Sequence, residues 1–195
     1  LSYIPYLRAN GEGIWGIWKN QTDIFTYHSK TVVESTHAYS SPWYTWPLMI
    51  RPIWYYSCSF ENGFKAGISA FGNPLVWWFG IASMIFCIVL AIKNKNKTAL
   101  FLIIAYAANF LPWAPVTRTT FIYHYFPSVP FVVLMNGYAI YTLAAERAWV
   151  KKAAIVYAFC VVVLFAVFYP VLAGIPVNPT YVTTFLKWLP KWVLI

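Results

Sequence analysis

The 195-residue chain is 61% hydrophobic, 10% charged and carries a formal net charge of +9. An ordinary soluble domain has roughly 25% charged residues, so this composition excludes a soluble globular domain and points into a membrane. The positive charge does not imply nucleic acid, because the basic residues flank apolar runs instead of forming a stripe.

Aromatics make up 21% of the chain, eleven of them tryptophans, as expected of belts at the membrane–water boundary. The sequence from Leu1 shows no signal peptide or basic n-region, and the chain is expected to be a piece of a longer protein. Cys58, Cys87 and Cys160 give no disulfide framework.

Residues 1–73 read as an external, interfacial region. LSYIPYL (1–7) is compatible with the outer end of a preceding span, and residues 14–40 with one or two short helices lying on the membrane face. Pro42, Pro47 and Pro52 then break any long helix across Ser40–Ser57. Gly63–Pro74 reads as a turn-rich connector whose Asn73-Pro74 starts the next element.

Residues 74–195 read as a four-span region. Leu75–Ile92 holds no charge and, at about 1.5 Å per residue, reaches about 27 Å, enough for a hydrocarbon core. Further spans are expected over 99–116, 119–145 and 153–175, the third distorted early by Pro127 and Pro130. The tail from Tyr181 is short, basic and Trp-rich, and is expected to lie in the interface. The expected fold is therefore an all-α membrane protein, with four transmembrane helices and external interfacial helices.

Lys93, Lys95 and Lys97 mark one loop; Arg147, Lys151 and Lys152 mark the next but one. Two spans separate these loops, so both are expected on the cytoplasmic side. Arg118, the 1–73 region and the tail then belong to the outer face. Polar groups at such a boundary are functional candidates.

A guanidinium matches phosphate oxygens in bidentate fashion. Arg118 and Arg51 are therefore anion-binding candidates, with snorkelling to lipid headgroups as the plain alternative. His124 suits a phosphate or sugar hydroxyl, the orienting of an arginine, or simple satisfaction within the bundle. His37 either lines a site or anchors the external segment. The three histidines lack metal-ligand spacing, so no metal is expected. Tyr123 and Tyr125 would lie about 200° apart on a regular helix and could not both face one ligand. Trp43, Trp46 and Trp54 offer either a sugar-stacking face or an interfacial belt.

Two blocks, THAYSSPWYTWPLMIRPIWYY (Thr36–Tyr56) and LPW…RTTFIYHYFPSVPF (Leu111–Phe131), resemble motifs of the protein O-mannosyltransferases in their bacterial form. The resemblance covers nearly the whole chain as that family's C-terminal four-span region. It implies part of a C-type glycosyltransferase fold in the bacterial plasma membrane, with its active face external. It also implies transfer of mannose, with inversion, from a polyprenyl-phosphate carrier to Ser or Thr of an exported protein. The donor is polyprenyl phosphate mannose, with membrane lipids around it. Arg118, His124, Arg51, Tyr123, Tyr125, His37 and Trp46 would then border the donor's phosphate and sugar.

The family's acidic catalytic pair lies in an N-terminal loop, and nothing here matches it: Glu12, Asp23, Glu34, Glu61 and Glu146 are isolated. The chain is expected to lack the catalytic base. A related enzyme using another lipid-linked sugar or acceptor, or a non-catalytic membrane scaffold or lipid-binding subunit, shares the same residue pattern.

Overall fold

The computed structural model describes residues 3–11, 13–31 and 37–195. Thr36 of the first motif block and the isolated Glu12 and Glu34 lie outside these. The chain divides into two compact units, Leu1–Ala38 with Val116–Thr119, and Tyr39–Pro115 with Thr120–Ile195.

The first unit holds α1 (Ile4–Asn10) and α2 (Gly13–Thr26), followed by a π-helical turn, Tyr27–Thr31. Pro5 opens α1, where its missing N–H costs nothing, and Gly11 ends it at φ 66°. Ile14, Trp15, Trp18 and Phe25 stand exposed on α2.

The second unit opens with a 3-10 turn, Trp43–Thr45, and then a hairpin of β1 (Ile53–Ser59) and β2 (Lys65–Ala70), paired antiparallel. This corrects the all-α expectation and the reading of Gly63–Pro74 as a connector. The segment IWYYSCS is dense in residues that favour a pleated, half-buried surface. Asn62-Gly63 supplies the turn: Gly63 takes φ 80°, and the Asn62 side chain accepts from the Phe64 N–H at 3.1 Å.

Four apolar helical segments follow. α3 (Pro74–Lys93) starts at Pro74, and the Asn73 side chain caps it by accepting from the Leu75 N–H at 3.1 Å. α4 (Lys97–Phe110) continues as a 3-10 turn, Leu111–Trp113. A longer 3-10 stretch, Ile122–Ser128, leads into α5 (Val129–Glu146), because Pro127 has no N–H for a regular ladder and Pro130 fits only a first turn. α6 (Ala148–Ala173) begins one residue later and ends at Gly174, φ 71°.

Among the described residues three of these are long and apolar enough to cross a membrane: Pro74–Lys93, Ile122–Glu146 and Ala148–Ala173. The fourth, Lys97–Trp113, is shorter; at about 1.5 Å per residue it reaches about 25 Å. The expected span over 99–116 is thus cut early, where Pro112 and Pro115 prevent continuation.

α3 packs against α4 and α5, and α5 against α6. Gly80 makes the α3–α5 approach possible: a Cβ there would run into the Val132 side chain. Beside it, the buried Asn136 amide donates to the Val76 carbonyl at 2.9 Å.

The tail does not lie free at a surface. Its short helical segments, α7 (Pro179–Tyr181) and a π-helical turn Val182–Leu186, return the chain to the hairpin. Val177 pairs with Lys65, the Ser69 hydroxyl donates to the Val193 carbonyl at 3.0 Å, and Leu194 passes over Gly67, where any side chain would strike its backbone. Trp192 is buried among Phe71, Phe168 and Trp188.

Candidate functional site

The two motif blocks meet through their backbones. The Ser41 N–H donates to the Thr120 carbonyl at 2.9 Å, and the Thr120 hydroxyl returns a bond to the Ser41 carbonyl at 2.9 Å. The Trp46 indole N–H also ends on Ser41, 3.1 Å from its carbonyl and 3.0 Å from its hydroxyl. This clasp fixes Trp46 beneath the second block.

His124 stacks on Trp46 with centroids 5.9 Å apart and planes at 21°, and packs against Trp113 and Tyr123, each at 4.3 Å. Its Nδ1 lies 3.1 Å from the Phe121 nitrogen and 2.9 Å from the Phe121 oxygen. That oxygen already accepts the His124 N–H at 3.0 Å, whereas the Phe121 N–H heads a helical stretch and needs an acceptor. Nδ1 is therefore the acceptor and Nε2 carries the proton, a donor held in orientation by four aromatic neighbours.

Trp46 is 1% exposed. It cannot offer a face to a sugar in this arrangement; it is the floor on which His124 rests. The two tyrosines separate as helix geometry requires. Tyr125 is 3% exposed, packs on Trp77 and Phe110, and shares a 3.0 Å hydroxyl–hydroxyl bond with Tyr106. It is a core residue. Tyr123, 36% exposed, lies over Phe121 and His124 on the open side.

Arg51 sits at the bend entering β1, half-buried. Its Nε is buried without a hydrogen-bond partner among the described residues, and so is the Trp54 indole nitrogen. Leaving a buried donor unsatisfied costs about 1–3 kcal/mol, more for a charged group, so these atoms suit an acceptor from outside the chain. Arg118 and His37 belong to the first unit. The Arg118 guanidinium donates to the adjacent Thr119 carbonyl at 3.4 Å, and His37 is exposed. Within the second unit the fold thus brings Tyr123 and His124 together over Trp46 and turns Tyr125 inward. Among the described residues no three His, Cys, Asp or Glu side chains cluster as metal ligands.

Tyr55 was not singled out by the sequence. The register slips between Trp54 and Tyr56, so Tyr55 is the extra residue of a β-bulge. Its phenol is pushed above its ordinary pKa, first by burial and then by the Tyr123 phenol. Asn62-Gly63 was the signal for the hairpin; nothing in the sequence marks the bulge itself.

The long apolar helices define a multi-pass integral membrane protein. Residues 14–192 match the family described as the C-terminal four TMM region of protein-O-mannosyltransferase. The chain belongs to that family. It is 27% identical to the polyprenol-phosphate-mannose–protein mannosyltransferase of Corynebacterium glutamicum and 26% identical to that of Mycobacterium tuberculosis, in each case over 93% of this chain. The chain spans 38% of the length of these relatives. The fold also matches a chain of the Saccharomyces cerevisiae protein O-mannosyltransferase Pmt1-Pmt2 complex bound to the sugar donor, with TM-score 0.74 and 22% identity, over 93% of this chain and 27% of that one.

Proposed function

We propose that this chain is the donor-holding part of a membrane enzyme that moves mannose from polyprenyl phosphate mannose to Ser or Thr hydroxyls of exported proteins. The family membership and the mannosyltransferase identity of the bacterial relatives support the reaction. The observation that carries the local role is the Arg51 guanidinium nitrogen, buried without an acceptor, in a unit that also presents an oriented His124 Nε2–H. Polyprenyl phosphate mannose provides the phosphate acceptor that the Arg51 nitrogen requires.

In this reaction the acceptor hydroxyl oxygen attacks the anomeric carbon from the face opposite the phosphate. The bond from that carbon to the phosphate oxygen breaks, and polyprenyl phosphate leaves with the electron pair. The hydroxyl proton goes to a carboxylate supplied elsewhere in the full-length protein. Arg51 and His124 stabilise the negative charge that grows on the leaving phosphate, an interaction stronger in the transition state than in the ground state. Arg118, in the first unit, is a phosphate-binding candidate in its own right: its charge is permanent and its fork geometry fits phosphate. Tyr123 contributes neutral hydrogen bonding at the rim.

The lysine-bearing α3–α4 loop and the basic start of α6 favour the cytoplasmic side for that end of the bundle. The hairpin and His124 then face outward from the bacterial plasma membrane, and α2 lies along the surface with its exposed tryptophans in the headgroup layer.

The test is reconstitution of the full-length protein in proteoliposomes with radiolabelled polyprenyl phosphate mannose and a Thr-containing peptide. Label on the peptide is expected; none, with the protein correctly inserted, overturns the proposal.

A further inference from the structure

A groove of about 450 Å³ in the second unit follows one face of α3. Trp78, Ile81, Ala82 and Ile85 form its floor, at the three- and four-residue spacing that shares a helix face. Leu48 and Ile50, from the loop before Arg51, and Leu189, from the tail, complete the lining. The Trp78 indole N–H donates to the Leu48 carbonyl at 3.3 Å, and its ring lies 5.9 Å from that of Trp188. Loop and tail thus meet α3 at Trp78. From there to Ile85 the helix advances about 10 Å into a segment apolar enough to cross a membrane, and Ala82 and Ile85 are exposed along it.

The Trp78 end is bordered by cations. Ile50 is followed by Arg51, and Lys187 and Lys191 stand two positions to either side of Leu189. Neither Ser40–Ser57 nor the tail from Tyr181 holds an Asp or Glu to neutralise them. The Arg51 Nε is buried without a hydrogen-bond partner among the described residues. A larger groove, about 740 Å³ between the starts of α3 and α5, differs in this respect: no Lys, Arg, Asp or Glu lies within two positions of any residue lining it. An apolar helix laid on α3 would cover the smaller groove but would leave the Arg51 donor unsatisfied, a costly outcome for a charged group. A lipid with an anionic head satisfies both ends at once.

We propose that this groove seats the first part of the donor's polyprenyl chain, with the phosphate at the Arg51 end. This rests on the donor-holding role given above and adds the path by which the chain leaves the phosphate for the hydrocarbon. Ala82, the smallest side chain on the floor, leaves the room that the chain occupies.

The experiment uses the full-length enzyme in phosphatidylcholine vesicles. The probe is polyprenyl phosphate mannose carrying a diazirine in the second isoprene unit. Irradiation of wild type is expected to attach the chain to Trp78–Ile85 or Leu189, read by mass spectrometry of peptides. Excess polyprenyl phosphate should abolish these adducts, and excess phosphatidylglycerol should leave them. Ala82→Phe fills the groove from an exposed position, so the fold is retained. Keeping about two methylene groups of the chain out of the groove corresponds to about a tenfold change. Ala82→Phe is expected to raise KM for the donor by about that factor, with kcat changed far less, whereas Val133→Phe, in the larger groove, should match wild type. Four results in an enzyme that transfers mannose each overturn the inference alone: adducts on this chain outside the groove, equal competition by phosphatidylglycerol, an unchanged KM in Ala82→Phe, or an equal defect in Val133→Phe. A wild type that transfers mannose but forms adducts only outside this chain overturns the donor-holding reading and the inference with it.

Discussion

The Trp192 indole N–H donates to the Met49 carbonyl at 2.7 Å, joining residues 143 positions apart. Met49 is fully buried and holds φ at 51°, a left-handed conformation uncommon outside glycine. The tail therefore secures a strained turn two residues before Arg51. Trp192→Phe keeps an aromatic ring, though a smaller one, and orphans the Met49 carbonyl, which should cost about 1–3 kcal/mol. Trp192→Ala also leaves a cavity and should cost about 3–5 kcal/mol. Thermal unfolding of the full-length protein in detergent should rank wild type above Trp192→Phe above Trp192→Ala. Equal melting temperatures would remove the tail from the account of how Arg51 is placed.

The α3–α5 contact depends on the missing side chain at Gly80. Gly80→Leu would force the helices apart at Val132 and strain the neighbouring Asn136 bond to Val76. Overpacking of this kind costs about 1–3 kcal/mol or more. Gly137, on α5, meets nothing within 4 Å, so Gly137→Leu should leave the melting temperature close to wild type. The pair of variants separates a packing role from a general effect of glycine replacement.

Tyr125 and Tyr106 should behave as one unit. Their hydroxyls bond to each other across the α4 interface, so Tyr125→Phe and Tyr106→Phe should each destabilise, while the double variant costs less than the sum. A coupling of about 1 kcal/mol is expected from a double-mutant cycle of unfolding. Additive effects would mean that the two hydroxyls do not depend on each other. Tyr123→Phe, on the open side, should instead alter donor KM without shifting the melting temperature.

Much of the bundle was legible because long apolar runs end at lysines, glycines and prolines. Asn73-Pro74 and Gly174 both mark real helix ends. The second span was drawn too long because hydropathy runs on through Leu111–Val116, while two prolines decide where the backbone stops. The hairpin was missed because three prolines and many aromatics made Ser40–Ser57 resemble an interfacial belt; Asn62-Gly63 carried the contrary signal. The inward turn of Tyr125 and outward turn of Tyr123 follow from geometry alone, since even at three residues per turn positions two apart differ by about 240°. Trp46 was not separable from other aromatics in sequence: its burial comes from Ser41 and Thr120, which meet only after folding. Likewise, no periodicity announces that the tail will return to β2, because its contacts are long-range and are set by the room above Gly67.

The central claim, that this chain holds the donor's phosphate, is tested most directly through Arg118. Full-length wild type and Arg118→Ala, inserted to equal levels in proteoliposomes, should be compared for mannose transfer at limiting polyprenyl phosphate mannose. Loss of a charge-assisted contact to phosphate, about 1.5–3 kcal/mol, predicts a fall of at least about tenfold, with Arg118→Lys recovering only part because it lacks the bidentate fork. Transfer by Arg118→Ala equal to wild type at limiting donor would contradict the account.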